Sequence, residues 1–357
     1  MLKVAVVVED FSIGGAQRVV SEIVKNIDQH KVQLLVLCLE NRKDTEMALA
    51  VEKAATVKYL NIRGKNLIKN YHRVSAELNR FAPNVVHAHL VGQLYSVPWG
   101  LMHNIPVIIT VHTKPEKAFI KKIEGLIRFG VKKKKIYIVA VSKENLEQVK
   151  QYFGTDDGQC CCINNGIDIN QFFRRNHGNF TYINVARQDA NKNQIAIIRC
   201  FEKLYAQDQN IRLMLIGDGP SHDMLVSETK KRNLENVIYL PGAMSNVANL
   251  YSVSDIYVQS SYREAMPMSV LEALATGLPI ISTDVGGLKD VINGNGWLIS
   301  AGAESELYSS MKKAKALSQM EMSRMADRSI ELSRKYSSVN MAKEYLDLYG
   351  KVAQINK

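Results

Sequence analysis

Two glutamates eight residues apart, Glu264 and Glu272, stand in the stretch SSYREAMPMSVLEALATGLPIISTDVGG. Pro267 stiffens the segment ahead of a helix predicted to start near Ser269, so Glu264 projects from a loop and Glu272 lies on the helix. The free N–H groups at that helix start, on residues 268–271 with Met268, Ser269 and Val270 among them, would face an anion. A second reading uses the same spacing. Ser269-Val-Leu-Glu272 also matches a capping box, in which the glutamate only returns to the backbone. Further upstream, VARQDANK puts Arg187 where a predicted strand stops and Lys192 in the first turn of the next helix, where a cation opposes the helix dipole. Two cations at the carboxyl end of a strand suit a pyrophosphate, Arg through its fork and Lys as a point charge; the plain alternative is a pair of solvated surface groups. Gly14 and Gly15, in EDFSIGGAQRVV, sit between the first strand and a helix beginning near Ala16. They permit close approach of backbone to a ligand, or simply a tight turn. A dinucleotide fold is the rival, with Glu40 placed to bind a ribose, but it requires a G-x-G-x-x-G that the chain lacks.

These residues need a scaffold that brings strand ends together. Short β-branched runs alternate with stretches of helical period, the pattern of repeated βαβ units around a parallel sheet. Strands are predicted near Val4–Val8, Gln33–Leu39, Thr56–Leu60, Val85–His87, Val107–Val111 and Ile136–Val141. A second series follows at Tyr182–Ala186, Arg212–Ile216, Val237–Leu240, Ile256–Gln259 and Ile280–Ser282. The expected architecture is α/β: two doubly wound Rossmann-like domains, residues 1–165 and 166–337, joined near Asn164 to Phe173, where turn residues cluster. The last helix, about Asn340 to Gln354, carries Met341, Tyr345, Leu348, Tyr349 and Val352 on one face. Ligands of open α/β sheets bind beyond the carboxyl ends of the strands, so two such domains facing across a cleft would place function there.

Composition narrows the class. The chain has 357 residues, 46% of them apolar and 23% charged, with 21 Gly and 8 Pro, which excludes collagen-like, low-complexity and disordered classes. Its apolar runs fall far short of the ~20 residues that span a bilayer, and the start MLKVAVVVED reads as a strand, not a signal peptide. Five cysteines, three of them adjacent at Cys160–Cys162, form neither a disulfide framework nor a C-x-x-C metal pair, which fits a reducing, cytoplasmic compartment. Net charge is +11, and residues 114–135 alone carry nine Lys/Arg against two Glu. Between Lys117 and Lys132 the apolar Phe119, Ile120, Ile123, Leu126, Ile127 and Val131 fall on one face of a predicted helix, with Lys121, Lys122, Arg128 and Lys132 largely opposite. Such a helix either packs on its own sheet or lies on an anionic bilayer, and both uses are compatible. Basic charge also raises a nucleic-acid binder as an alternative, but the chain has no aromatic-and-basic RNA motif, zinc spacing or long basic helix.

In order along the chain, Gly14-Gly15, VVHAHL at 85–90, TVHT at 110–113, NNGID at 164–168, the Arg187/Lys192 pair, GDGP at 217–220 and the E-x7-E glutamates resemble the retaining, nucleotide-sugar-dependent glycosyltransferases of family 4, which have the two-domain GT-B fold. The resemblance implies that the first domain binds the acceptor, with helix 338–357 packing back on it, and that residues 166–337 bind the donor. By the same resemblance Arg187 and Lys192 hold the donor pyrophosphate, Glu272 the ribose and Glu264 the sugar hydroxyls, and backbone around Met268, Ser269 and Val270 cradles phosphate. Gly15 lies against the phosphate, His112 near the anomeric carbon, and Gly14 and His89 on the acceptor side. Two departures, Ala265 after the first glutamate and Ala186-Arg187-Gln188 for the usual Gly-Arg-Leu, bear on loop shape and on which sugar fits.

The implied reaction moves a hexose or N-acetylhexosamine, with a UDP-sugar as donor, to a lipid-linked or polysaccharide acceptor in surface glycan synthesis. Fixed cations aimed at the departing diphosphate lower its barrier. Since the chain contains no D-x-D, no metal and no cofactor is expected. Same-face attack assisted by a donor phosphate oxygen is favoured over Glu264 as a covalent nucleophile. The implied location is the inner face of the cell membrane, held peripherally. A nucleotide-sugar epimerase of similar architecture is the alternative enzyme.

Overall fold

The structure is a computed structural model, and it describes residues 1–41, 45–62, 66–155, 158–175 and 178–355. The chain divides into two compact units, 1–166 with 338–357, and 167–337.

The first unit is built on seven parallel strands: β1 (Leu2–Val8), β2 (Val32–Cys38), β3 (Thr56–Tyr59), β4 (Val85–His89), β5 (Val107–Val111), β6 (Ile136–Ala140) and β7 (Cys160–Cys162), in the order β3-β2-β1-β4-β5-β6-β7. Strand β1 has no polar alternation because helices cover both faces of the sheet; Val4 to Val8 are all 0–1% exposed. The helix Ser338–Ile355 belongs to this unit and packs against the helix Gly15–Asn26. Its inner face is Met341, Ala342, Tyr345, Tyr349 and Val352, while Leu348 is only half-buried.

The second unit carries six parallel strands: β8 (Phe180–Val185), β9 (Ile211–Ile216), β10 (Ile238–Tyr239), β11 (Ile256–Gln259), β12 (Ile280–Thr283) and β13 (Gly296–Ile299), in the order β10-β9-β8-β11-β12-β13. In each sheet the order reverses once, between β1 and β4 and between β8 and β11. A doubly wound sheet opens its ligand crevice at that reversal, beyond the strands' carboxyl ends.

Two expectations fail locally. The basic stretch is not one helix: it breaks into Pro115–Ala118, a 3-10 turn Lys121–Ile123 and the helix Glu124–Lys132. Ile123, Ile127 and Val131 point inward as expected, but Leu126 is 43% exposed. The edge strands β7 and β13 were not anticipated.

Candidate active site

In the second unit, β8 stops at Val185 and Arg187 follows with its guanidinium largely in solvent, its Nε 3.7 Å from Asp189. The Asp189 carboxylate accepts from the N–H groups of Asn191 and Lys192 at 3.0 and 3.2 Å, a turn that short acidic and amide side chains favour. Lys192 therefore lies in that turn and not in the helix, which begins at Gln194 after Asn193 in the left-handed region. The expected opposition between Lys192 and the helix dipole is accordingly reduced. Its ammonium donates to Glu264 Oε1 at 2.5 Å, and Gln259 Nε2 donates to the same oxygen at 3.2 Å. Both contacts fall on Oε1, and the Glu264 side chain is only 9% exposed. The two loops are tied together by the Ser260 hydroxyl, which donates to the carbonyls of Lys192 and Asn193, and by Asn191 Nδ2, which donates to Arg263 O.

Two glycines let neighbouring loops close on these residues. At Gly217 (φ +138) a Cβ would lie 1.9 Å from Ala186 O, and at Gly286 (φ +62) 2.5 Å from Glu264 O. No other residue type fits either place. Gln188, at the second departure from the family pattern, is buried and satisfied: its Oε1 lies 2.7 Å from His222 Nδ1 and its Nε2 donates to Leu215 O.

The helix after Glu264 runs Met268–Thr276 with Pro267 as its N-cap and no side-chain cap. The capping-box reading is thereby overturned. Ser269 Oγ bonds instead to the Tyr257 hydroxyl at 2.8 Å, and the Tyr251 hydroxyl donates to Ser269 O, so the first turn is held from below. Burial pushes the Tyr257 hydroxyl's pKa up, which keeps it a neutral partner. Val270 N–H already donates to Pro267 O, which narrows the expected amide cradle to Met268 and Ser269. Glu272 is 2% exposed, one turn further along the same helix.

In the first unit, Gly14 in extended conformation caps the helix that Gly15 begins. Asp10 holds the preceding loop, accepting from Ser12 N–H, the Ser12 hydroxyl and Gln17 Nε2. His89 ends β4, and His112 follows β5 and keeps a window to solvent. Since side chains alternate along a strand, His87 and His89 share one face, as do Thr110 and His112 on the next strand. His89 Nδ1 lies 3.0 Å from His112 Nε2. His87 is tied to Tyr349 OH at 2.7 Å and to Thr110 Oγ1 at 2.8 Å, and Thr110 Oγ1 to Tyr345 OH at 3.0 Å. Burial holds His87 at about 3 and His112 at about 4, and pushes His89 well below the ordinary value, so all three rings are neutral at pH 7. Sequence reasoning missed His87, Thr110, the two tyrosine hydroxyls, Gln259 and Asp10. The period-2 H-A-H and T-V-H runs on adjacent strands were the available signal.

Residues 167–331 match the family described as "Glycosyl transferases group 1", and residues 13–171 the family described as "Glycosyltransferase Family 4". This chain belongs to the family 4, group 1 glycosyltransferases. It has the GT-B fold. Over 247 residues it is 25% identical to an uncharacterized glycosyltransferase of Methanocaldococcus jannaschii, covering 61% of this chain and 60% of that one. Over 223 residues it is 24% identical to the N-acetyl-alpha-D-glucosaminyl L-malate synthase of Bacillus anthracis, covering 59% and 56%. The matched stretch thus spans less than two thirds of those relatives' own lengths. Anabaena HepE, solved in complex with UDP-glucose, superposes with a TM-score of 0.84 at 16% identity, over 98% of this chain and all of that one.

Proposed function

We propose that this glycosyltransferase transfers a hexose or N-acetylhexosamine, with retention of configuration and without a metal, from a UDP-sugar bound by the second unit. The observation that carries the reading is the cluster beyond β8 and β11: the Arg187 guanidinium, the Lys192 ammonium held by Glu264, and the Met268 and Ser269 amides of one helix start. Cations and amides on loops beyond neighbouring strand ends suit a diphosphate, and the Glu264 carboxylate suits a sugar hydroxyl. The UDP-glucose complex of the Anabaena protein supports the choice of donor.

In this mechanism the bond between the anomeric carbon and the diphosphate oxygen breaks as charge grows on the leaving group, where Arg187 and Lys192 stabilise it. The acceptor oxygen forms its new bond on the same face, and its proton passes to a phosphate oxygen of the departing diphosphate. Glu272, buried on the helix, is assigned to the ribose hydroxyls. In the first unit, Gly15 is assigned to the phosphate, His112 to the anomeric carbon, and Gly14 and His89 to the acceptor side.

For the acceptor we propose a lipid-linked or polysaccharide glycan met at an anionic membrane. Supporting this, Leu126 and Phe129 are 43% and 53% exposed among the exposed Lys121, Lys122 and Lys132–Lys134. Arg128, on the same surface with its side chain 42% exposed, pairs with Glu124 and lies over the Tyr152 ring.

Thermal stabilisation by UDP, UDP-sugars and other nucleotide diphosphates tests the donor site, because binding to the folded form raises stability by mass action. A UDP shift that disappears in both Arg187→Ala and Glu272→Ala is the expected result. Persistence of the shift in both variants removes the assignment.

A further inference from the structure

We propose that His89 fixes the tautomer of His112, so that His112 presents Nδ1–H outward as a neutral hydrogen-bond donor to the substrate. His89 is on this view a positioning residue, and the inference rests on the reading that His112 stands beside the transferred sugar.

The two rings share one hydrogen between His89 Nδ1 and His112 Nε2, 3.0 Å apart. Two neutral arrangements satisfy that contact. In one, His89 Nδ1–H donates, and His112 is left with its hydrogen on Nδ1. In the other, His112 Nε2–H donates, and His89 must then carry its hydrogen on Nε2. The environment of His89 separates them. Its side chain is fully buried, and its Nε2 has no hydrogen-bond partner among the described residues. The second arrangement would strand an N–H in a dry interior, whereas the first leaves only an unused lone pair, and stranded buried N–H groups are the rarer of the two. A third arrangement, with one ring charged, is opposed by burial and by the His87 ring, whose centroid is 4.1 Å from that of His89.

The surrounding backbone holds the pair in register. Leu90, directly after His89, has φ +48, a left-handed conformation that a leucine adopts only under constraint. Buried Gln93 holds that turn by donating to the carbonyls of Leu90 and Ala118. On the other side, Asn145 Nδ2 donates to Thr113 O, next to His112. These contacts fix the backbone on either side of the pair.

Nitrogen-15 NMR of the full chain labelled at histidine reads the tautomer directly. His112 should show a protonated Nδ1 and an unprotonated Nε2. In His89→Leu the His112 hydrogen should move to Nε2, and kcat should fall about tenfold, the factor of one misplaced hydrogen bond, with donor KM within about twofold. His89→Asn, whose amide places a donor near the original Nδ1, should restore both the tautomer and most of the rate. A wild-type His112 protonated on Nε2, or a His112 tautomer unchanged in His89→Leu, overturns the proposal even if activity is lost. The wild-type spectrum needs no folded variant. A His112→Ala enzyme with unaltered kcat would instead reject the placement of His112 beside the sugar, while leaving the tautomer result standing.

Discussion

Lys192 and Glu264 form an ion pair, and this sets what each substitution should do. Lys192→Met removes the cation and releases a carboxylate that is only 9% exposed, so kcat should drop by about 10²–10³-fold in a donor-consumption assay. Glu264→Gln keeps the shape but weakens the grip on the ammonium; donor KM should rise as well as kcat fall. Gly286→Ala acts through the same residue from behind. Its φ of +62 and the 2.5 Å approach to Glu264 O leave no room for a Cβ, so stability should fall by at least ~1 kcal/mol, read as a lower urea midpoint. At this scale the sequence exposed the charged residues and their strand ends, because chemistry-bearing types in loops after β-branched runs are legible one at a time. It hid the partners. Lys192 and Glu264 are 72 residues apart, and nothing local in S-V-L-E announces that a tyrosine twelve residues upstream takes the Ser269 hydroxyl.

The element that closes the first sheet is the helix Ser338–Ile355, which sets Tyr345 and Tyr349 over β4 and β5. Its apolar periodicity was readable, and so was its inner face. The work of the two hydroxyls was not, since a tyrosine on a hydrophobic stripe looks the same whether or not its oxygen is used. Tyr349→Phe leaves a buried imidazole nitrogen unpartnered and should cost ~1–3 kcal/mol in denaturant unfolding. The neutral histidines beneath give stability a pH dependence. Unfolded, each titrates near 6.5; folded, His112 and His87 stay neutral to about 4 and about 3. Above pH 6.5 both states are neutral and their contribution is level. Below it the unfolded chain takes up protons that the folded one refuses, so stability falls with pH by up to ~2 kcal/mol per histidine at pH 5. Urea midpoints at pH 7 and pH 5 check this, with a flat profile counting against dry histidines. The two unanticipated strands are both edges: Cys160–Cys162 and Gly296–Ile299 are too short, and too poor in alternation, to register as strands.

For the whole molecule, basic charge concentrates on residues 114–135, and exposed Leu126 and Phe129 share that surface. Liposome flotation should show enrichment on anionic over neutral lipid, reduced when Lys132, Lys133 and Lys134 are all changed to Glu; equal recovery on both lipids would reject the membrane assignment. The parallel α/β architecture was legible because runs such as Val4–Val8 have no other use than a strand buried on both sides. The break inside the basic stretch was not, because Phe119 and Ile120 keep helical spacing while their backbone is extended. One feature of connectivity shapes how the polypeptide is made. Since residues 338–357 complete the unit that residues 1–166 begin, the intervening half is free to fold on the ribosome while the earlier half waits, its His87 without Tyr349. Nascent chains stalled after residue 337, with a linker long enough to clear the exit tunnel, should therefore resist protease over 167–337 and be cut within the first 166 residues. The first unit is thus sealed by a helix that is made only after the whole of the second.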